Sequence, residues 1–267
     1  MFGLQRWQVE NTVKLIDEGN TIPFIARYRK EAHGTLDDQV LRELSEKLEY
    51  LRNLDKRREE ISASITAQEK MTPEIEAALE KASTLAEIED IYRPFRPKRR
   101  TRASIAKEKG LESLADAIFA QVADSASPTE LAADYIDAEK GVETAEDAIN
   151  GAMDIIAENI SDDADIRRRL RSLFTVAGVL QSRAADSEKE SVYTMYYEYD
   201  EPVNKIAGHR VLAVNRGENE GFLKVGIDVD RIKALNIINA NVLSDNGSAC
   251  TDTVRAVSYT HLTLPTS

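Results

Sequence analysis

Hydrophobic residues along this chain recur mostly at spacings of three and four, which is the period of an amphipathic helix. The longest such pattern predicts a helix from Leu36 to about Ile65, with Thr35 or Asp37 as its N-cap. Its apolar stripe comprises Leu36, Val40, Leu41, Leu44, Leu48, Leu51 and Leu54. Glutamate, lysine and arginine fill most other positions, so one face should be buried and the other exposed.

Capping signals predict where further helices begin. Each combines a hydroxyl side chain with a proline or with an acid three residues later: Thr72-Pro73, Thr84 with Glu87, and Ser127-Pro128 with Glu130. Two more apolar stripes, within residues 148–156 and 166–180, predict helices in the second half of the chain. We therefore expect a mainly α protein with a helical central region.

The pattern changes after about residue 192, where aromatic and β-branched residues become more frequent. Residues 223–229 alternate like a strand, whereas residues 209–215 could form a strand or a short helix. A minor β element is therefore expected inside the central region. The organisation we predict is a helical N-terminal domain over residues 8–110 and a central helical region over residues 111–256.

The last residues, 257–267, are expected to be a non-native tail. Residues 258–267 carry no charge after a body rich in charge, and residues 257–262 read like the translation of a common sequencing-adapter end. Neither a helix cap nor an apolar stripe is evident there. We expect the segment from Ser258 onward to leave the core untouched if it is deleted.

Composition excludes several classes of protein. One cysteine, Cys250, excludes an internal disulfide and a cysteine zinc cluster, and three histidines lie far apart in the sequence. No apolar run approaches the length of a membrane span, and the first residues lack a signal-peptide pattern. We expect a cytoplasmic protein with no cofactor, no metal, no membrane contact and no small-molecule substrate.

The sequence gives only a weak signal for a catalytic site. Asp228 and Asp230 could be mistaken for part of a two-metal carboxylate site, but that chemistry needs further carboxylates from other elements. His209 has no cysteine or serine nucleophile with a suitable partner nearby, and a lone histidine is more often structural. The chain is therefore expected not to be an enzyme.

Basic residues are concentrated in two short stretches, although the net charge is −12. The first contains Arg27, Arg29 and Lys30, on a short helix predicted to start at Pro23 after a glycine-containing turn. Two short helices and a tight turn suit a helix-turn-helix, whose second helix would present these cations to nucleic acid. Equally, Arg27 and Arg29 could be ion-pair partners for the long helix.

The second stretch contains Arg93, Arg96, Lys98, Arg99, Arg100 and Arg102. Pro94 and Pro97 should hold its backbone extended and end the preceding helix near Ile91. Its cations are candidate phosphate contacts, and Tyr92 and Phe95 are candidates for base stacking. The alternative is a solvated loop whose aromatic rings fill a core and whose arginines pair with nearby helix carboxylates.

Several long runs of this sequence resemble the Tex family of bacterial RNA-binding transcription accessory proteins. These runs are IPFIARYRKE, EDIYRPFRPKRRTRASIAKEKGLE, DAEKGV, NKIAGHRVLAVNRGENEGFLKV and DTVRAV. The resemblance covers Val9 to Ala256. It implies a helix-turn-helix-like N-terminal domain followed by a helical central region. In that family an RNase-H-like domain, helix-hairpin-helix motifs and an S1 domain follow, so the resemblance implies an N-terminal and central fragment.

The function expected from these observations is nucleic-acid binding, with RNA or DNA as partner, in non-enzymatic work associated with transcription. The alternative is a helical scaffold that docks to the transcription machinery while C-terminal domains contact RNA; the acidic net charge favours it. A nuclease is a third possibility, and it would require metal-dependent cleavage.

Overall fold

The computed structural model describes residues 3–97, 100–123 and 125–263, and side chains as far as Tyr259. Its contacts divide the chain into two compact units, Met1–Tyr92 and Arg93–Ser267. The division comes before the boundary that we expected at residue 110. The predicted fold class, mainly α with a minor β element, is confirmed.

The first unit is built from helices. In chain order they are α1 (Arg6–Asp17), α2 (Ile22–Tyr28), α3 (Lys30–His33), α4 (Asp38–Ala67), α5 (Pro73–Lys81) and α6 (Leu85–Tyr92). The long helix is confirmed, and Asp37 is its N-cap because its side chain accepts a hydrogen bond from the Gln39 backbone N–H at 3.0 Å.

The buried stripe of α4 differs from the predicted one. Its fully buried residues are Leu41, Leu44, Leu54, Ile61 and Ile65. Leu48 is only half-buried and Leu51 is 43% exposed. Neighbouring helices change along α4, because Arg52 pairs with Asp17 of α1 and Arg58 donates to the Leu79 carbonyl of α5. One uninterrupted stripe is therefore not covered along its whole length.

A buried histidine fixes the start of α4 against α2. His33 is fully buried, and its Nδ1 accepts a hydrogen bond from the Leu36 backbone N–H at 3.0 Å. Because Nδ1 accepts, the proton lies on Nε2, which donates to the Ile25 carbonyl at 3.2 Å. Gly34 follows with φ +66°, and a Cβ there would lie 2.7 Å from Cη2 of Trp7.

The predicted helix caps are confirmed. The Thr72 and Ser127 side chains accept hydrogen bonds from the backbone at the starts of α5 and α9 (Pro128–Ala132), and Thr84 with Glu87 forms a reciprocal box before α6. The prediction of an extended backbone after α6 is wrong for residues 93–95, which form a 3₁₀ turn closed by Arg96 N–H to Arg93 O. Proline's fixed φ is compatible with such a turn as well as with an extended chain.

The second unit has a helical core and a small sheet. Besides α9, its helices are α7 (Arg102–Glu108), α8 (Glu112–Ala120), α10 (Ala145–Asp162), α11 (Ala164–Ala177), α12 (Gly208–Asn219), α13 (Arg231–Val242) and α14 (Thr251–Thr263). α10 is central, since α7, α8, α9, α11 and α14 all contact it. Its buried apolar positions are Ala148, Ala152, Ile155, Ile156 and Ile160.

The sheet is antiparallel with strand order β2-β1-β3, formed by β1 (Val179–Ala184), β2 (Glu198–Pro202) and β3 (Leu223–Asp228). The strand predicted over residues 223–229 is therefore confirmed. The ambiguous residues 209–215 belong to α12. A small core of Leu180, Tyr193, Tyr196, Val214 and Leu223 lies beneath the sheet.

Helix α14 continues into the expected tail. Val257 and Ser258 are buried, and the Ser258 hydroxyl donates to the Val254 carbonyl at 3.2 Å. The expectation that the core is untouched from residue 258 onward is therefore wrong for Ser258. Residues 264–267 lie outside the described residues. Among the helices described, none is long and apolar enough to cross a membrane.

Candidate nucleic-acid interface

The first candidate surface is the outer side of α2. This short helix follows Thr21, carries a proline in its first turn and buries Ile25 completely. Phe24 and Tyr28, one helical turn apart, remain 37% and 63% exposed. We call the exposed Phe24, Arg27 and Tyr28 of α2, the following Arg29, and Lys30 at the start of α3 the α2 face.

The three cations of the α2 face are exposed and make no ion pair with any carboxylate in the described part of the chain. The described part of the structure therefore contradicts the alternative that Arg27 and Arg29 form ion pairs with the long helix. Acids of α4 pair instead with arginines of the same helix, as Asp38 does with Arg42 and Asp55 with Arg58. These α2-face cations are accessible to an external anion.

The aromatic rings of the α2 face lie against each other and against a cation. The ring centroids of Phe24 and Tyr28 are 5.3 Å apart with an interplanar angle of 44°. The Arg29 guanidinium lies 5.5 Å from the Phe24 centroid, within cation–π range. Sequence reasoning missed these two rings; their spacing of four beside three cations was the available signal.

The second candidate surface is the segment of residues 93–102, here called the 93–102 segment. Arg93 pairs with Asp162 at the end of α10 at 2.7 Å, and the Asp162 side chain is only 8% exposed. Arg102 pairs with Asp154 of the same helix at 3.6 Å, and Arg100 pairs with Glu108 of α7 at 3.6 Å. The arginines named here are therefore held by carboxylates.

A cleft of about 480 Å³ separates this segment from α10. Its lining includes Arg93, Arg96 and Arg102 on one side and Asp154, Glu158 and Asp162 on the other. The Thr101 hydroxyl also donates to Glu158 at 3.1 Å. Lys98 and Arg99, two of the predicted phosphate contacts, lie outside the described residues. Charges of both signs therefore meet in this cleft.

The two rings proposed for base stacking here are partly buried. The Tyr92 hydroxyl lies 3.1 Å from the Ser64 hydroxyl in hydrogen-bond contact, and Arg57 lies 5.8 Å from the centroid of its ring. A hydrogen bond to Glu89 raises the pKa of Arg57 above its ordinary value. Tyr92 thus already has contacts on its hydroxyl and its ring, and Phe95 is half-buried.

The residues considered as catalytic candidates either cap a helix or lie exposed at the end of an element. Asp230 is the N-cap of α13, accepting from the backbone of Ile232 at 3.0 Å and Lys233 at 3.2 Å. Asp228 ends β3 and His209 lies near the start of α12, both exposed. Among the residues described, no group of three histidine, cysteine or acidic side chains is arranged to hold a metal ion.

Two parts of the chain match models of known protein families. Residues 1–66 match the Tex-like protein N-terminal domain, and residues 123–257, just over half of the chain, match the Tex central region. The chain belongs to the Tex family. The α2 face lies inside the first match, and the 93–102 segment lies between the two.

Relatives agree with this assignment. The chain is 43% identical over 232 residues to protein tex of Bordetella pertussis, covering 85% of this chain and 29% of that protein. It is 39% identical over 226 residues to the transcriptional accessory protein Tex of Neisseria gonorrhoeae, covering 82% and 29%. It is 30% identical over 235 residues to human S1 RNA-binding domain-containing protein 1, covering 85% and 23%. The chain spans less than a third of these relatives.

Proposed function

We propose that this chain is a non-enzymatic, nucleic-acid-binding part of a transcription accessory protein, with RNA as its ligand. The observation that carries the proposal is the set of three α2-face cations without a carboxylate partner in the described chain, on a protein whose net charge is −12. A phosphate can contact these cations without first breaking an intramolecular ion pair. Such cations supply the sequence-independent part of nucleic-acid affinity.

The names of two relatives bear on the proposal, one on transcription and the other on RNA binding by that relative. The gonococcal relative is called a transcriptional accessory protein, and the human relative is named for an S1 RNA-binding domain. The non-enzymatic part is supported by the helix-capping role of Asp230. A nuclease would need carboxylates that converge on metal ions.

A second candidate function is a scaffold that docks to a protein of the transcription machinery. Large apolar side chains that the second unit leaves in water favour it, because a partner protein would bury them. The most exposed are Val192 at 86%, Met195 at 74%, Leu212 at 72%, Ile232 at 71% and Val176 at 68%. In this case the chain itself would bind RNA weakly at physiological salt.

The test is the salt dependence of RNA binding by the full chain, measured by fluorescence anisotropy with a labelled single-stranded RNA. Replacing Arg27, Arg29 and Lys30 by glutamine should flatten the slope of log K against log[salt]. Each phosphate that a cation neutralises on a single strand contributes about 0.7 to that slope, so the expected change is about 2. The RNA should also remain full length when Mg²⁺ is present.

A matched control removes the same charge from the same unit. Arg6, Arg42 and Arg52 are paired with Glu10, Asp38 and Asp17, so their replacement by glutamine should change the slope much less. Equal effects of the two triple variants would show that only net charge matters. Weak binding that is indifferent to the α2-face variant would contradict the proposal and favour the scaffold.

A further inference from the structure

The exposed rings of the α2 face are placed for contact outside the protein. Phe24 and Tyr28 are separated by one helical turn and lie on the same side of α2, while Ile25 on another side is fully buried. A tyrosine that is 63% exposed leaves much of its ring in water. Large aromatic side chains bring most of their binding energy when a partner covers them.

The two rings differ in accessibility. The Arg29 guanidinium lies over Phe24 at 5.5 Å, so part of that ring is already covered by a flat cation. Tyr28 has the larger exposed fraction, and Arg27 and Arg29 are its neighbours in sequence. A planar group can stack on Tyr28, and another can stack on the guanidinium plane of Arg29.

The charge and the aromatic rings of the α2 face indicate the chemical class of its partner. Its cations form no ion pair with a carboxylate among the described residues, although the chain as a whole is acidic. A complementary partner must therefore be anionic and must also carry flat apolar groups. An unpaired nucleic-acid strand has both, whereas a duplex keeps its bases stacked inside and offers only phosphates.

We propose that the α2 face is a base-stacking site for an unpaired RNA strand, with Tyr28 as the main platform and the Arg29–Phe24 pair as the second. Arg27 and Lys30 contact the phosphates beside the stacked bases. This inference rests on the proposed function and adds to it the strandedness of the ligand and the residues that read it. A protein partner on the same face is the competing outcome.

The experiment compares labelled oligouridine of about 12 nucleotides with its oligoadenosine duplex, a length within the site sizes of single-strand binders. Tyr28→Leu in the full chain should weaken single-strand binding roughly 5- to 150-fold, and Phe24→Leu should weaken it less. Tyr28→Phe keeps the ring and should bind like the unmodified chain. Duplex binding should be unchanged in all three variants.

Tyr50→Leu is the matched control. Lys47 lies 4.7 Å from the centroid of the Tyr50 ring on the acid-rich α4, so this is an aromatic–cation pair outside the α2 face. Its loss should leave RNA binding unchanged. Thermal melts of every variant confirm that the chain is folded, and Tyr28→Phe keeps the test decisive if Tyr28→Leu is unstable.

The outcomes separate the two proposals. No binding of either RNA by the unmodified chain contradicts the proposed function itself. Binding that depends on the cations but is unchanged by Tyr28→Leu and Phe24→Leu, or that is equal for strand and duplex, overturns the stacking site and leaves the proposed function intact. Rings that are dispensable for RNA but required for binding purified RNA polymerase also overturn it.

Discussion

The α2 face and the 93–102 segment contain the same kinds of side chain but differ in what surrounds them. Arg27, Arg29 and Lys30 are exposed without a carboxylate partner in the described chain. Arg93 and Arg102 are paired with acids of α10 at 2.7 and 3.6 Å. In the stretch with more basic residues in the sequence, the described Arg93, Arg100 and Arg102 are therefore paired, whereas the α2-face cations are not.

Whether a cation is available to a ligand therefore depends on acids that lie far away in the sequence. Asp154, Glu158 and Asp162 are four residues apart along α10, which places them on one side of the helix at intervals of about 6 Å. They face the 93–102 segment across the cleft. An external anion must displace these carboxylates to reach the cations there, whereas no α2-face cation is paired with a carboxylate among the described residues.

The largest expected effect concerns what holds the α2 face in place. His33→Ala should lower the unfolding free energy by about 3 kcal/mol, because it leaves a cavity and strips hydrogen-bond partners from the buried backbone near Ile25 and Leu36. Urea denaturation followed by the fluorescence of Trp7, the single tryptophan, reports on this unit. His209→Ala, an exposed control, should stay within about 0.5 kcal/mol. Equal, mild effects would mean that α2 does not depend on His33.

An intermediate effect should come from releasing the paired arginines. Asp154→Asn with Glu108→Gln removes the partners of Arg102 and Arg100, so RNA binding should strengthen several-fold at low salt and its salt slope should steepen by about 1.4. Anisotropy titrations over a range of salt would measure both.

The control for that double variant changes the net charge equally. Asp252→Asn with Glu112→Gln removes exposed acids paired with Arg255 and Lys107, outside the cleft. We expect little change in slope from it. If the two double variants behaved alike, the acids around the 93–102 segment would not be competing with RNA.

The smallest expected effect is a difference in the pH dependence of stability between the start of α6 and α2. The backbone N–H of Ser83 donates to Glu87 and lowers the pKa of that carboxyl below its ordinary 4.5, stabilising the start of α6, which leads into the 93–102 segment. A depressed folded-state pKa gives stability that is present above the unfolded value and lost as pH falls through the folded one.

Helix α2 has no side-chain cap hydrogen bond and should show no such loss. Urea midpoints at about pH 6 and about pH 3 should therefore differ less in Glu87→Gln than in the unmodified chain. The difference should be a fraction of a kcal/mol, because solvent screens this partly exposed group. An unchanged pH dependence would show that Glu87 does not stabilise the start of α6.

Features with local causes were predictable from the sequence. The caps at Thr72, Thr84 and Ser127 follow from side chains within three residues of the helix start. The long helix α4 and strand β3 follow from their hydrophobic periods. The Tex-family assignment followed from whole runs of residues and is confirmed.

Features with distant causes were not predictable. The pairing of Arg93 with Asp162 joins residues far apart in the chain, and no spacing rule indicates it. The exposure of Leu51 depends on which helices cover α4. His33 gave no signal as a lone histidine, yet it is buried between α2 and α4. The exposure of Tyr28 is a tertiary property, although its position four residues after Phe24 and beside three cations was a local signal.

One experiment compares the α2 face and the 93–102 segment directly. Arg27, Arg29 and Lys30 are replaced by glutamine in one variant, and Arg93, Arg100 and Arg102 in another, and the salt slope of single-stranded RNA binding is measured for each. We expect a slope flatter by about 2 for the first variant and nearly unchanged for the second. A flatter slope for the second variant alone would contradict this expectation, because the paired arginines would then be the ones that contact RNA.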